Sequence, residues 1–136
     1  VQPLHARGAV APHVAWLQPY PDHLLEHAAP ADGEPDAAIA ARHPGESTAV
    51  VTLSHDIKID DPALIAALAA PTGYVAALGS RRSHAARLER LAAQGFGADD
   101  LARIDGPAGL DIGAIGASEI ALSITAGMVA GFNAKR

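Results

Sequence analysis

Thr48-Ala-Val-Val-Thr-Leu-Ser54 and, further on, Tyr74-Val-Ala-Ala-Leu78 leading into Gly79-Ser80-Arg81-Arg82 are the stretches that decide the fold. The first is a near-continuous β-branched and apolar run, the pattern of a strand buried on both faces, which belongs in a parallel sheet. The second is a short apolar run bounded by glycines. Between them Asp61 stands before Pro62, a cap followed by the proline best tolerated at the first helical position, and Ala63 to Ala69 continue as a helix until Pro71-Thr72-Gly73 breaks it. Ser80 is placed to cap a helix running through Gln94. Leu88, Leu91, Ala85 and Ala92 form its buried stripe, and Gly95 stands where a left-handed C-terminal residue is wanted.

Asp99 to Ile104 reads as one more helical turn, and Gly106 to Gly116 as a glycine-rich loop. Ser118 then reads as the N-cap of a last helix in which Ile120, Ile124 and Met128 recur every four residues. Strands alternating with helices of these lengths predict an α/β fold, a doubly wound, Rossmann-like parallel sheet with flanking helices.

Outward from this frame the sequence is less regular. Residues 1 to 47 hold seven of the ten prolines and five of the seven histidines. Val14 to Leu17 reads as a short strand and Asp36 to Arg42 as a short helix ending before Pro44-Gly45. His23-Leu-Leu-Glu-His27 matches the H-x-x-E-H pattern, in which two histidines on one helical face share a zinc and the glutamate activates water. Five residues match by chance easily, and Pro19, Pro21 and Pro30 hem the segment, so we expect no metal there.

The chain has 136 residues, the length of one ordinary domain, and is 49% apolar but only 4% aromatic, so Ala, Leu, Ile and Val must build the core. It contains no cysteine. That removes disulfides, thiolate metal sites and a cysteine nucleophile, and makes the cytoplasm the simplest setting. The longest apolar stretch, Ile120 to Phe132, is 13 residues, short of the roughly 18 to 20 that span a bilayer, and is expected to be a buried helix. A net charge of -5 argues against a general nucleic-acid binder, although Arg81, Arg82, Arg87 and Arg90 cluster.

Ligands of open parallel sheets bind beyond the carboxyl ends of the strands, where loops and helix N-termini converge. Ser54-His55-Asp56 ends the first strong strand and Gly79-Ser80-Arg81-Arg82 the second, with His84 one turn into the next helix. Gly79 lets backbone approach closely, free amides at the helix start point at an anion, and the arginines add forked donors, so a phosphate suits this turn. The plainer alternative is a helix cap with solvated arginines. Adjacent residues in an extended segment point in alternating directions, so Ser54-His55-Asp56 is no hydrolytic triad. His55 can instead donate to a ligand or carry a proton, and Asp56 can accept from ligand amino or hydroxyl groups, or simply satisfy backbone amides. Gly106-Pro-Ala-Gly109-Leu-Asp111-Ile-Gly113 is dense enough in glycine to hold backbone in unusual conformations around something, with Asp111 its polar group, although composition alone favours a structural turn that orders the last helix.

Leu53-Ser-His-Asp56, Asp60-Asp-Pro-Ala-Leu64, Tyr74-Val-Ala-Ala-Leu-Gly-Ser-Arg-Arg-Ser-His84, Gly106-Pro-Ala-Gly-Leu-Asp-Ile-Gly-Ala114 and Ser118-Glu-Ile-Ala121 resemble, in this order and spacing, the C-terminal domain of the XdhC/CoxI family of molybdoenzyme accessory proteins. The resemblance covers roughly residues 46 to 132. It divides the chain into a poorly matched segment, 1–45, and a Rossmann-like domain, 46–136, that lacks the first strand and Gly-x-Gly turn of longer relatives. It implies a cytoplasmic, non-catalytic maturation factor that binds molybdenum cofactor (molybdopterin), supports its sulfuration, and delivers it to xanthine dehydrogenase or a related molybdenum hydroxylase. A sulfurase, and a second copy of the chain completing the open sheet edge, are further partners it allows. Ser54, His55, Asp56, Gly79, Ser80, Arg81, Arg82, His84, Gly109 and Asp111 are then the expected cofactor-binding residues. The alternative from fold class alone is an NAD(P)-dependent oxidoreductase, but the chain has no G-x-G-x-x-G fingerprint.

Overall fold

The computed structural model describes residues 33–135. The strand expected at Val14 to Leu17 and the His23 to His27 motif lie outside them. Three parallel strands, β1 (Ala49–Thr52), β2 (Tyr74–Ala77) and β3 (Ile104–Asp105), form a sheet in the order β1-β2-β3. Among the described residues five helices accompany it: α1 (Pro35–Ala41), α2 (Ile57–Leu68), α3 (Arg81–Ala93), α4 (Ala98–Ala102) and α5 (Gly116–Asn133). This is the expected α/β, Rossmann-like arrangement.

Strand alternation divides the helices between two layers. Val75 and Ala77 of β2 join Leu64, Ala67 and Leu68 of α2, Leu91 of α3 and Ile104 of β3 in one apolar core. Tyr74 faces the other way and meets α5, where a Cβ on Gly131 would lie 2.7 Å from its ring. Every residue of β2 is buried, whereas β1, at one edge of the described sheet, is only partly buried apart from Thr52. The strand covered on both faces is therefore β2 and not, as its composition suggests, β1.

Local chemistry explains where the elements stop. α2 begins earlier than Asp61: Asp56 is the N-cap, its carboxylate accepting from the Lys58 amide at 2.9 Å, and Pro62 lies inside the helix. Proline there removes only the bond to the Lys58 carbonyl near the helix start, and Asp61 is free to pair elsewhere. At the other end Arg103 donates to the carbonyls of Leu68 and Ala70, both at 2.9 Å, placing a cation on the helix C-terminus.

α3 ends as expected: Gly95 has φ +100°, its amide bonds the Ala92 carbonyl at 3.0 Å, and the Phe96 amide bonds that of Leu91 at 3.3 Å. That is a Schellman closure. The stripe of α3 differs from expectation. Ala85 and Ala92 are exposed, and Arg87 is buried beside Leu91 because it finds partners under the β2 turn. Asp99 to Ile104 divides into α4 and the two-residue β3. In α5 the N-cap is Ile115, whose amide donates to the Glu119 carboxylate, and Ser118 is already helical. Ser123 and Gly127, rather than Ile120, Ile124 and Met128, are its buried residues, because small side chains let the helix sit down on Tyr74. Among the described residues no helix is long and apolar enough to cross a membrane.

Candidate functional site at the carboxyl edge of the sheet

The register of β1 and β2 pairs Thr52 with Ala77, and the Leu78 amide continues the ladder to the Thr52 carbonyl at 2.9 Å. Ser54 and Gly79 are each two residues beyond that last pair. The Ser54–Asp56 loop and the Gly79–Arg82 turn thus leave the sheet side by side. The third loop joins them through the Ala108 amide, which bonds the Ala77 carbonyl at 2.8 Å.

The first loop is held from below. Asp60, 4% exposed, accepts from the Ser54 hydroxyl at 2.6 Å and from the His55 amide at 3.1 Å. His55 itself has φ +62°, a left-handed conformation uncommon for a residue other than glycine. Its side chain is exposed. Asp56 spends one carboxylate oxygen on the helix cap and has the other unpartnered among the described residues.

The second wall needs its glycine. Gly79 has φ +152°, and a Cβ there would lie 2.5 Å from the Ser83 hydroxyl. That hydroxyl is engaged in a capping box: Ser83 N–H donates to Ser80 Oγ at 3.0 Å and Ser80 N–H donates to Ser83 Oγ at 2.8 Å. Two helix-start amides are thereby consumed. Those of Arg81 and Arg82 have no partner among the described residues, and both arginine side chains are exposed.

Behind this turn the sequence reading missed Arg87, which is 5% exposed. Its Nη2 donates to the Leu78 carbonyl at 3.1 Å and its Nη1 to His84 Nδ1 at 3.2 Å. Arginine only donates, so Nδ1 is the acceptor and His84 is neutral while this contact lasts. Burial, then the Arg87 charge, pull the His84 pKa below its ordinary 6.5, and Asp105 opposes them. The same burial lowers that of Arg87, against the fields of Asp60 and Asp61. Asp61 is a bidentate partner of Arg90, at 2.8 and 3.2 Å. A hidden guanidinium at His84 plus three on α3 carries little compositional signal; the spacing to Leu91 was the one available clue.

A group with a depressed folded pKa stabilises fully above its unfolded value and loses that contribution as pH falls through it. The native fold should therefore lose stability below about pH 6.5, the ordinary histidine value, more steeply than His84→Gln, which keeps an acceptor for Arg87. Denaturant unfolding of both proteins from pH 7.5 to 5 checks this, and parallel profiles would contradict it.

His84 also packs on the third loop, for a Cβ at Gly106 would lie 2.2 Å from its Nδ1. Next to Gly106, Asp105 accepts from the Tyr74 hydroxyl, and burial together with that carboxylate raises the tyrosine pKa. Gly109 has φ +102° and rests on Ser123 of α5, and Gly113 has φ +70°, so the glycines do hold unusual backbone. Asp111 is exposed and makes no bond among the described residues. Of the expected residues, the fold brings those at 54–56 and 79–84 to one edge, ties the loop holding Gly109 to it through Ala108, and leaves Asp111 exposed. No group of three or more metal-binding side chains occurs among the described residues.

Comparison with known proteins agrees with this architecture. The molybdenum cofactor insertion chaperone PaoD of Escherichia coli (strain K12) is 39% identical over 79 residues, covering 58% of this chain and 25% of that protein. This chain thus spans about a quarter of the relative's length. The model of the XdhC Rossmann domain matches residues 5–128. With a parallel sheet, helices on both faces and a match over most of its length, the chain belongs to the family of the XdhC Rossmann domain.

Proposed function

We propose that this chain handles molybdenum cofactor on its way into an enzyme, binding the cofactor at the carboxyl edge of the sheet and handing it on. The observation that carries this reading is the side-by-side exit of Ser54 and Gly79 beyond the Thr52 and Ala77 pair. Two unpartnered helix-start amides with two exposed arginines beside them fit the phosphate of the pterin. The pterin's amino and oxo groups then lie against the facing loop. Ser54, His55 and the open oxygen of Asp56 supply acceptors and a donor there, and Asp111 and Gly109 flank the third side. The role this reading assigns is carriage rather than turnover.

The client is a molybdenum hydroxylase of the xanthine dehydrogenase kind, with cofactor sulfuration by a separate sulfurase before handover. The relative's name supports the carriage.

Replacing Arg81 and Arg82 together by alanine tests the site. Two exposed cations contribute modestly, so affinity for a phosphate-bearing pterin should fall about tenfold at low salt and much less at high salt. Thermal stability should not change. Unchanged affinity at low salt would leave the turn as a helix cap and sink the reading.

A further inference from the structure

We propose that Arg87 is the positioning residue of this site: buried beneath the Gly79 turn, it sets the Leu78 carbonyl and supplies the fixed positive charge that the bound anion answers. The inference rests on the anion-site reading above and adds a residue from outside the exposed turn. Three observations carry it.

The first is placement. A Cβ built on Gly79 lies 3.6 Å from Arg87 Nη2, so the guanidinium lies directly behind the backbone that an anion would approach. The second is incomplete pairing. Among the described residues, Arg87 Nε and Thr52 Oγ1 are buried side-chain polar atoms with no hydrogen-bond partner, and both belong to this edge of the sheet. Neither acid near Arg87 is free to neutralise it by contact. Asp61 is taken by Arg90, and Asp60 by Ser54 and His55. A buried cation without a contacting carboxylate is costly, and such groups persist where a charge is answered by something bound.

The third is coupling. Asp60 holds the Ser54–Asp56 loop and its charge acts on Arg87, while Arg87 holds Leu78 and His84. One buried pair thus stands under both walls of the crevice. Exposed Arg81 and Arg82 act through water and are screened by salt. Arg87 acts through protein, where screening is weak.

The salt dependence separates a positioning cation from surface charge. Inorganic pyrophosphate serves as the probe, titrated calorimetrically into the chain and into Arg87→Met, Arg87→Lys and the Arg81→Ala, Arg82→Ala double variant. The expected result is a loss of at least about tenfold for Arg87→Met that persists at 0.5 M salt, on the order of a 4 Å screening length, while the double variant's loss fades. Arg87→Lys, which keeps the charge but cannot fork between Leu78 and His84, should recover part of the loss.

Should Arg87→Met fail to fold, the Arg87 Nε–H resonance of the unmodified chain decides. It should shift on pyrophosphate saturation, and a resonance that does not move overturns the proposal. Pyrophosphate binding with Arg87→Met folded and unimpaired also overturns it while leaving the anion site standing. No pyrophosphate binding by the unmodified chain overturns both.

Discussion

Replacing Asp60 by alanine should lower the stability of the fold by about 2–4 kcal/mol and free the Ser54–Asp56 loop. Its carboxylate is buried and accepts from the Ser54 hydroxyl and the His55 amide at once. Truncation strands both donors and removes the negative charge that offsets Arg87. His55 would then have no reason to keep φ +62°, and its relaxation would recover part of the cost. Urea unfolding should show a lower midpoint at unchanged slope, with amide exchange faster at His55. Asp60→Asn should fall between, since an amide oxygen still accepts one bond but carries no charge. A loss below about 0.5 kcal/mol, the range of ordinary surface changes, would mean that the loop is held by something else.

This prediction concerns a residue whose role the sequence conceals. Asp56, Asp60 and Asp61 are three acids ahead of a helix, and Pro62 makes Asp61 look like its cap. The chain instead caps with the first, clamps a loop with the second and pairs Arg90 with the third. Only tertiary structure assigns these acids, because each assignment depends on what lies across from it. Arg87 is concealed for the same reason. A helical pattern with alanines at 85 and 92 suggests an alanine-lined seam, yet the Leu78 carbonyl and His84 draw the arginine inward.

What was legible follows from chemistry local to the chain. The β-branched run at 48–54 and the glycine-bounded run at 74–78 are both strands, and Ser80 and Gly95 do open and close α3. Those signals need no partner from elsewhere in the chain. β3 escaped because two residues carry no period, and its pairing to Val75 and Ala76 is what makes it a strand. The small face of α5 escaped because the visible period was that of Ile120, Ile124 and Met128 rather than that of Gly127 and Gly131. They are the positions where Tyr74 fits. The crevice itself was legible in outline, since strand ends in a parallel sheet gather at one edge. Its supporting layer of Asp60, Arg87 and Asp105 was not.

The largest expected effect is qualitative: cells able to make molybdenum cofactor should load this chain with it. The Gly79–Arg82 turn, the Ser54–Asp56 loop and the glycine-rich third loop together present an exposed, polar edge carrying Arg81 and Arg82 in a chain whose net charge is -5. Under the proposed function, an anionic cargo would be held there by local charge and fixed donors rather than by a general electrostatic pull. The direct measurement is to purify the chain without oxygen from such cells and identify its bound small molecules by mass spectrometry. A phosphate-bearing pterin is expected in the unmodified chain and far less in the Arg81→Ala, Arg82→Ala variant. NAD(P) in place of pterin would contradict it.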